Sequence, residues 1–375
     1  MNKKINISII GTRGYPYVYS GYETFVKELS ERLVHKGCNV TVYCHKGLFD
    51  IRPKEIKGIK LVYIPTIETK ILSQPIHSFF SIIHACFSKT DVVLVVNSAN
   101  GPFGLITKLF RKPTAINVDG LEWLRPKWKG FGSIYFKWAS KMATIFYDQI
   151  INDSEEMKKV YLDLFKRDSK VIAYGANIRK SKNPDLITTW NIKPREYYLV
   201  IGRLIPDNNA DLIIRGFLAS NSTKKLVIVG DVPYKDSYAK DIKNIKDDRL
   251  IFTGYVKNQD VLAELYHNSY VYIHGHEYGG TNPTMIKAMA YGSTILALDT
   301  SFNNEMLQNG RYGLFFKKQI ESLVEMVNYC EKESLLVDKL RSNSAKGITE
   351  KYDWNFITNN YLEVFKKLIY RNKIG

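Results

Sequence analysis

The chain has few cysteines, and no two of them have the C-x-x-C spacing of zinc or redox sites. Neither a zinc site nor a disulfide framework is indicated, and we expect reduced, mostly buried thiols at Cys38, Cys44, Cys86 and Cys330. The sequence also lacks an apolar run of the roughly 20 residues that span a bilayer, and no signal-peptide apolar region follows Met1–Lys4. A membrane-spanning or secreted protein is not expected, and we expect the chain to stay in the cytosol.

Acidic residues are scarce relative to basic ones: 37 Asp and Glu oppose 54 Lys and Arg, for a net charge of +17. The excess lies mostly in residues 1–180, where 28 basic residues oppose 15 acidic ones, whereas residues 181–375 hold 26 against 22. A basic N-terminal half fits an anionic lipid surface or a nucleic acid. No recognised nucleic-acid-binding module accompanies the charge, so nucleic acid is not an expected partner. The alternative is that these charges only solvate the surface.

The 375 residues exceed what one compact core usually holds and predict two domains. Short runs that are apolar along their whole length alternate with helical stretches, which is typical of parallel strands covered by helices on both faces. In the first half the predicted strands are Ile5–Ile10, Val40–Cys44, Leu61–Ile64, Val92–Val96, Ala115–Val118 and Ile150–Asn152. After a polar break at 181–184 the pattern resumes with Tyr197–Ile201, Leu226–Val229, Leu250–Phe252, Tyr270–Ile273 and Thr294–Leu298. The predicted fold class is α/β, with two doubly wound, Rossmann-like domains.

Two helices of the first half can be placed from the pattern. Apolar residues at helical spacing and a glycine at position 37 predict a helix over 22–36. The stretch 71–87 is rich in large apolar residues but is too short to span a bilayer. We expect a buried helix there in preference to a helix on a membrane surface.

Two loops of the first domain carry candidate chemistry. Gly11–Pro16 follows the first strand and Gly21 opens the first helix, an arrangement that turns backbone N–H groups toward a phosphate. The spacing is not G-x-G-x-x-G and no acidic residue ends the second strand, which disfavours NAD binding. Asn117–Trp123 offers two carboxylates, which could bind sugar hydroxyls or act as a base, beside an aromatic ring that could stack on a sugar. A tight turn and an ordinary exposed acid pair are the alternatives.

The second domain has three such loops. Gly202-Arg203 follows a strand at the edge where open α/β sheets bind ligands, and the guanidinium fork suits a diphosphate. Gly230-Asp231 is a second candidate phosphate loop, although either pair could serve only as a turn. The densest signal is His274–Pro283, where Gly279-Gly280-Thr281 exposes backbone N–H groups at a helix start, a natural anion cradle. The two histidines of this segment lack a third ligand at an obvious spacing, so a metal site is not expected.

Taken together, these segments resemble glycosyltransferase family 4, which has the GT-B fold, and within it the bacterial branch of rhamnosyltransferases of polysaccharide assembly. The resemblance covers nearly the whole chain and rests on Gly11–Gly14 with Gly21–Thr24, Asn117–Trp123, Pro206–Asn209 and His274–Pro283. It implies two Rossmann-like domains facing a central cleft. The acceptor would bind the domain over 1–180 and the nucleotide sugar the domain over 181–350, and a C-terminal helix in 351–375 would pack back on the first domain.

The resemblance also implies the site residues. The catalytic residues would be Asp119, which stands where many relatives carry a histidine near the reacting sugar, and Glu122. The donor-binding residues would be Gly14, Arg203, Asn208, Gly230, His276, Glu277, Gly279, Gly280, Thr281, Asn282 and Lys287. The acceptor-binding residues would be Arg13, Tyr15, Gly21, Trp123 and Arg125. Transfer in this family retains the anomeric configuration and needs neither a metal nor a cofactor besides the nucleotide-sugar co-substrate.

Three positions depart from the family pattern. Much of the family has Glu-x7-Glu where this chain has Gly279 and Lys287, and a lysine that commonly follows Gly-Arg is here Asn208. Gly279 and Asn208 are features of the branch, but Lys287 is not, since the branch usually keeps a glutamate there to hold the nucleotide ribose. A lysine cannot accept hydrogen bonds. Lys287 therefore puts the identity of the donor in question.

The implied function is transfer of L-rhamnose from dTDP-rhamnose to a lipid-diphosphate-linked saccharide. The reaction would take place at the inner face of the cell membrane, with the basic first half on the anionic lipid surface, during capsule, O-antigen or cell-wall polysaccharide synthesis. The same reaction with another UDP- or GDP-linked hexose is one alternative, and a non-catalytic GT-B partner subunit is another. A sugar-nucleotide epimerase of similar fold is not favoured, because it would act without an acceptor.

Overall fold

A computed structural model describes residues 4–16, 21–67, 69, 72–118, 120–125, 130–232 and 236–374. The chain forms two compact units, of which unit 1 comprises residues 1–174 with 354–375 and unit 2 comprises residues 175–353. The unit boundary at 174 lies six residues before the predicted one. The predicted catalytic Asp119 lies outside the described residues.

Unit 1 is built on an eight-stranded sheet in the order β3-β4-β2-β1-β5-β6-β7-β8. The strands are β1 Asn6–Ile10, β2 Asn39–His45, β3 Glu55–Ile56, β4 Ile59–Ile64, β5 Val92–Val96, β6 Thr114–Val118, β7 Gln149–Asn152 and β8 Lys170–Val171. All neighbours pair in parallel except β3, which pairs antiparallel with β4. Every residue of β5 and β6 is buried, as expected of strands covered on both faces.

The first five helices connect these strands: α1 Gly21–His35, α2 Ser73–Phe87, α3 Gly104–Leu109, α4 Phe131–Phe146 and α5 Glu155–Phe165. Helix α1 matches its prediction closely and buries Phe25, Val26, Leu29 and Leu33. Gly37 follows it in the left-handed region with φ +82°, where a glycine cap is favoured. Serine 154 caps α5 by accepting a hydrogen bond from the N–H of Met157.

Unit 2 has a six-stranded parallel sheet in the order β11-β10-β9-β12-β13-β14. Counted from its own first strand this is 3-2-1-4-5-6, the doubly wound order of dinucleotide-binding folds. The strands are β9 Tyr197–Ile201, β10 Lys225–Val229, β11 Leu250–Gly254, β12 Val271–His274, β13 Ile295–Leu298 and β14 Leu314–Phe316. The helices are α6 Ala210–Ala219, α7 Ser237–Lys243, α8 Gln259–Asn268, α9 Pro283–Ala290, α10 Ser301–Met306, α11 Ile320–Lys332 and α12 Ser334–Gly347. The core packs β9, β10 and β12 against α6 and α11.

Short turns of other helix types complete the chain: 3-10 turns at Lys46–Leu48, Ser98–Phe103, Glu122–Leu124, Pro184–Trp190 and Pro206–Asn208, and a π turn at Ile348–Tyr352. The final helix, α13 Trp354–Ile374, belongs to unit 1. Its Trp354 and Tyr361 lie 6.3 and 5.4 Å from the ring of Phe25 on α1, measured between ring centroids. The Tyr361 hydroxyl also accepts a hydrogen bond of 2.9 Å from Asn117 Nδ2 on β6.

Two compositional predictions can be compared with this structure. All four cysteines are free and buried, as predicted. The stretch 71–87 does form a helix, but the expectation of a buried one is only half right: Phe79, Phe80 and Phe87 are 39%, 51% and 75% exposed. Within the described part of the chain, none of the helices is both long and apolar enough to cross a membrane.

Candidate functional site

The candidate site of unit 2 lies at the carboxyl ends of its central strands, where parallel sheets bind ligands. Strand β9 lies between β10 and β12, so the loops that follow these three strands are neighbours. The loops pack very closely: a Cβ on Gly230, which has φ +127°, would lie 2.0 Å from the carbonyl oxygen of Gly202. Position 230 therefore requires a glycine, because a side chain there would collide with the neighbouring backbone.

Arg203 follows Gly202 at this edge and has an exposed side chain. Its guanidinium makes no hydrogen bond or ion pair with any other residue that the structure describes. The carbonyl oxygen of Arg203, by contrast, accepts a 2.7 Å hydrogen bond from Asn208 Nδ2. The backbone at Arg203 is thus held in place while its guanidinium donors have no partner among the described residues, which suits an anionic ligand.

Asn208 also joins the loop after β9 to the loop after β12. Its Oδ1 lies 2.8 Å from Nδ1 of His276, and since Oδ1 can only accept, the imidazole donates from Nδ1. Asn209, in the left-handed region at φ +52°, donates from Nδ2 to the carbonyl of Gly275 at 2.8 Å. A Cβ on Gly275 would lie 2.3 Å from the carbonyl oxygen of Asn208. The two loops are therefore held together by side-chain and backbone contacts.

The segment between His276 and α9 forms the other wall of the site. Gly279 has φ +118°, a conformation that residues with a side chain rarely adopt. The N–H groups of Gly279 and Gly280 have no hydrogen-bond partner among the described residues. Thr281, which follows, is buried. Two unsatisfied backbone donors in a glycine turn make a cradle for an anion.

Helix α9 begins directly after this turn with well-formed capping. Asn282 accepts from the N–H of Thr284 at 2.9 Å and from its Oγ1 at 2.7 Å, and Pro283 is the first helical residue. Asparagine at the N-cap and proline at the next position both favour a helix start. The positive end of the helix thus faces the glycine turn and favours a negative ligand.

His274 is a structural residue of this region. Its Nδ1 lies 3.0 Å from the Tyr272 hydroxyl, which donates to Thr284 Oγ1 at 3.1 Å, and that oxygen donates to Asn282. The hydrogen bonds thus run in one direction from the buried imidazole to the N-cap of α9. Complete burial, and then the proximity of His276, hold the pKa of His274 well below its ordinary value. A neutral His274 therefore supports the position of the α9 N-terminus.

Three charged residues of the predicted donor set differ in their local surroundings. Glu277 forms a 2.7 Å ion pair with Lys318, and its N–H donates to the carbonyl of Asp207. Lys287 is half-buried on α9, between the buried Ile286 and Ala288. Of the three, Arg203 alone is exposed, and its guanidinium has no partner among the described residues.

Sequence reasoning missed two residues that position this site. In the sequence, Asn209 stands out only as the last residue of the motif Pro206–Asn209. In the structure its positive φ and its bond to Gly275 orient the two loops. Asparagine before a helix is a signal for such a backbone. Asn303 of α10 donates from Nδ2 to the carbonyls of His276 and Leu298, at 3.1 and 2.8 Å. No sequence pattern indicates Asn303, because its partners lie on other elements.

In unit 1 the loop after β1 is closed by contacts with its own helix. The N–H of Arg13 donates to Glu23 Oε1 at 3.2 Å, and its guanidinium lies 3.8 Å from the same oxygen. Glu23 is buried on α1. A Cβ on Gly14, at φ +129°, would lie 2.8 Å from Cys44 Cβ. The described part of this loop is therefore closely packed against α1 and β2. Gly21 is the first residue of α1.

Two predicted acceptor residues are buried in unit 1. Tyr15 is 1% exposed and donates its hydroxyl to Glu31 Oε1 at 2.7 Å, so its ring belongs to the core. Trp123 is 8% exposed, and its ring packs 6.3 Å from Tyr161 and 6.1 Å from Phe165 between centroids. This packing leaves little of the Trp123 ring exposed for stacking on a sugar.

Glu122 and Arg125, predicted as a catalytic and an acceptor-binding residue, form a local ion pair. Glu122 Oε1 lies 2.7 Å from a guanidinium nitrogen of Arg125, and both side chains are largely buried. Asn117 is held by Tyr361 and by Tyr174, whose hydroxyl donates to Asn117 Oδ1 at 3.2 Å. Across the described ranges, no group of three or more His, Cys, Asp or Glu residues could hold a metal ion.

Comparisons with known families match both halves of the chain. Residues 182–347 match the family Glycosyl transferases group 1, and residues 4–177 match a domain of unknown function, DUF1972. The chain is 23% identical to the uncharacterized glycosyltransferase MJ1069 of Methanocaldococcus jannaschii, over 98% of this chain and 100% of that protein.

Solved structures share the fold over nearly the whole length. Sucrose-phosphate synthase (tll1590) from Thermosynechococcus elongatus superposes with a TM-score of 0.83 at 16% identity, covering 98% of this chain and 100% of that one. Anabaena Alr3699/HepE in complex with UDP-glucose gives a TM-score of 0.76 at 16% identity, with 97% and 100% covered. The predicted GT-B fold of two Rossmann-like domains is confirmed, and the family match supports a glycosyltransferase of the group 1 type.

Proposed function

We propose that this group 1 glycosyltransferase moves a sugar from a nucleotide-diphosphate donor, bound by unit 2, to a saccharide carried on a lipid diphosphate and bound by unit 1. The first donor to test is dTDP-L-rhamnose, and the product would enter capsule, O-antigen or cell-wall polysaccharide synthesis. The anomeric configuration is retained and no metal takes part. The chain acts at the inner face of the membrane that holds the acceptor.

One observation carries the donor assignment: a guanidinium and two backbone amides, none of them with a hydrogen-bond partner among the described residues, lie in the loops after two neighbouring strands of unit 2. Arg203 follows β9, while Gly279 and Gly280 follow β12, and Asn208 with His276 ties the two loops together. A diphosphate has several oxygens and at least two negative charges, so it can accept from a guanidinium fork and from backbone amides at once. The positive end of α9 adds a further favourable field.

The chemistry asked of this site is displacement at the anomeric carbon. The bond from C1 to the diphosphate oxygen breaks, the acceptor hydroxyl oxygen bonds to C1 on the same face, and the hydroxyl proton passes to the leaving diphosphate. Charge develops on that leaving group, so donors that hold it lower the barrier. Because Glu122 is paired with Arg125, its proposed part is to orient the acceptor, and Asp119 is proposed to lie near the reacting sugar.

A UDP-linked hexose is the second donor candidate. The HepE structure is a complex with UDP-glucose, and a related fold with that donor supports testing a uridine nucleotide beside the thymidine one. The experiment is to incubate the purified full chain with labelled dTDP-rhamnose, UDP-glucose or GDP-mannose and a saccharide-diphosphate-lipid acceptor. We expect label in the lipid fraction from dTDP-rhamnose. Transfer from a hexose donor alone would reject the rhamnosyl assignment.

Lys287 motivates the competing proposal of a non-catalytic partner subunit. It stands on α9 where the resemblance calls for a glutamate that holds the ribose. We expect wild-type protein to transfer sugar, and Lys287→Glu to change KM for the donor by less than about tenfold, since one hydrogen bond to a ribose contributes about 1 kcal/mol. The control is Lys332→Glu, an exposed lysine of α11. A silent wild type that gains transfer through Lys287→Glu would favour the non-catalytic subunit.

A further inference from the structure

The outer face of α2 is unusually rich in aromatic side chains for a surface helix. Its outward residues include Phe80 and Phe87, which are 51% and 75% exposed. Its buried residues are the polar His77, Ser78 and Ser81 together with Ile82, Ala85 and Cys86. A helix on a soluble domain normally turns a polar face to solvent, so the outward phenyl rings of α2 make this face a candidate interaction surface.

Helices α3 and α4 continue this apolar surface. Leu109 of α3 is 73% exposed, and Ile134 and Trp138 of α4 are 68% and 47% exposed. The helices are in contact: Phe87 lies 5.0 Å from Phe110, which directly follows α3, between ring centroids. Lysine 108 of α3 donates to the carbonyl of Ile145 on α4 at 3.4 Å. We call the outward side chains of α2, α3 and α4 the apolar face. Contiguous exposed apolar patches of this kind mark interaction surfaces.

The charges on the apolar face have one sign. The segments 73–87, 104–109 and 131–146 contain three lysines, Lys108, Lys137 and Lys141, and no aspartate or glutamate. All three lysines are exposed and none forms an ion pair with a residue that the structure describes. Exposed Lys89 and Arg111 lie just beyond α2 and α3. The face therefore combines apolar side chains with uncompensated positive charge.

We propose that the apolar face is the surface by which this protein docks on an anionic membrane. Phenyl and indole rings enter the boundary between headgroups and acyl chains, while the lysines reach the lipid phosphates, which is how interfacial helices bind. A second copy of the chain is a poorer occupant, because a symmetric contact would bring lysines against lysines without an acidic partner. The inference deepens the proposed function, which requires a membrane-borne acceptor, by assigning the surface that meets the membrane.

The test is sedimentation of the full chain with vesicles. We expect binding to vesicles that contain about one-third phosphatidylglycerol and loss of binding to vesicles of phosphatidylcholine alone or at high salt. The variants Phe80→Ser with Phe87→Ser, and Lys137→Glu with Lys141→Glu, are each expected to weaken binding by at least about tenfold. Matched controls in unit 2 are Leu335→Ser and Lys246→Glu with Lys339→Glu, all at exposed positions.

Each result decides between docking and its rivals. Binding by wild type and controls together with loss in both face variants supports the proposal. Absence of wild-type binding, or binding that survives both face variants, overturns it. A wild-type dimer in solution that the face variants make monomeric, without vesicle binding, assigns the face to a second copy instead.

Sugar transfer to a short-chain, water-soluble saccharide diphosphate separates this proposal from the proposed function. Face variants that keep this transfer and lose vesicle binding support docking, because their fold and donor site are then intact. Transfer without any vesicle binding by wild type overturns docking and leaves the proposed function standing. Vesicle binding by wild type without transfer from any donor supports docking and overturns the proposed function.

Discussion

The first strand of each unit ends in a loop that carries an arginine, and the two arginines have opposite surroundings. Arg13 in unit 1 lies beside the buried Glu23, which also accepts its backbone N–H. Arg203 in unit 2 has its carbonyl held by Asn208 and its guanidinium without a described partner. The loop after the first strand thus holds an arginine beside an internal acid in one unit and an exposed arginine without a described partner in the other.

The outer surfaces of the two units also differ, both in their exposed apolar side chains and in their net charge. Of the large apolar side chains that are exposed in the described chain, 19 belong to unit 1 and 4 to unit 2. By sequence, unit 1 holds 30 basic against 16 acidic residues, a difference of +14, and unit 2 holds 24 against 21, a difference of +3. Sheets of like strand order can therefore carry a polar ligand edge in one unit and an apolar, basic surface in the other.

The comparison of the two arginines gives the largest expected effect. Arg203→Ala should lower kcat/KM for transfer by about 100- to 1,000-fold, because it removes a donor to the developing charge on the leaving group. Thermal unfolding should hardly change, since the side chain has no described partner to lose. Arg215→Ala, at an exposed arginine of α6, is the control. Equal activity of the two variants would break the assignment of the Arg203 loop to the donor.

A second prediction concerns a feature that both units share, a glycine at a strand end that lies very close to a neighbouring carbonyl oxygen. A Cβ on Gly230 would lie 2.0 Å from the Gly202 carbonyl oxygen, and one on Gly11 2.3 Å from the Val96 carbonyl oxygen, both at strongly positive φ. Gly230→Ala and Gly11→Ala should each lower the free energy of unfolding by about 2–3 kcal/mol in urea denaturation.

The control for these substitutions is Gly254→Ala. Gly254 has φ +66° but nothing within 4 Å of its Cβ position, so only the backbone cost of about 1 kcal/mol remains. If all three variants lost the same free energy, close approach of the strand ends would carry no cost in either unit.

The smallest effect concerns acid stability of unit 1. His45 and His77 stack with ring centroids 4.0 Å apart and are both buried. Burial, and then the neighbouring His45, lower the pKa of His77 to about 3. Below about pH 6.5 the unfolded chain binds this proton and the folded chain does not. The free energy of unfolding therefore decreases as the pH is lowered, by up to about 1.4 kcal/mol per pH unit.

His77→Phe should reduce this slope in urea denaturation between pH 6.5 and 5, where most carboxylates are still ionised, while the buried His274 of unit 2 keeps its own contribution. His35→Gln, at an exposed histidine at the end of α1, should keep it. An unchanged slope in His77→Phe would show that the buried pair does not govern the acid response of unit 1.

Eleven strands were predictable from sequence because each is a short, largely apolar run, whereas β3, β8 and β14, of two or three residues each, were not predicted. Every predicted strand overlaps an observed one, and Gly37 ends α1 as its position predicts. The glycines and Arg203 at the ligand edge were predictable for the same local reason: they directly follow strands. Asn303 was not, since it acts through the carbonyls of His276 and Leu298, which are far from it in the sequence or on another element.

Exposure was the property that sequence predicted least well. Trp123 and Phe87 are both aromatic residues near polar ones in the sequence. Trp123 is buried against Tyr161 and Phe165, whereas Phe87 is 75% exposed. Helical periodicity identifies two faces of a helix, but it cannot say which one meets the sheet when the polar face carries only histidine and serine. In α2 the buried side holds His77, Ser78 and Ser81 together with Ile82, Ala85 and Cys86.

Unit 2 is inserted into unit 1, so residues 174 and 354 of one core are separated by a 179-residue excursion. Holding the ends of an unfolded loop of that length together costs roughly 4–5 kcal/mol of chain entropy. Within unit 2 the N–H of Ala176 donates to the carbonyl of Tyr352 at 3.0 Å, and Ala176 bridges Asp353. Once unit 2 is folded, its two ends are already adjacent, so the chain segments before residue 175 and after residue 353 start close together when α13 packs near Phe25. Folding of the inserted unit thus lowers the entropic barrier to completing the unit that surrounds it.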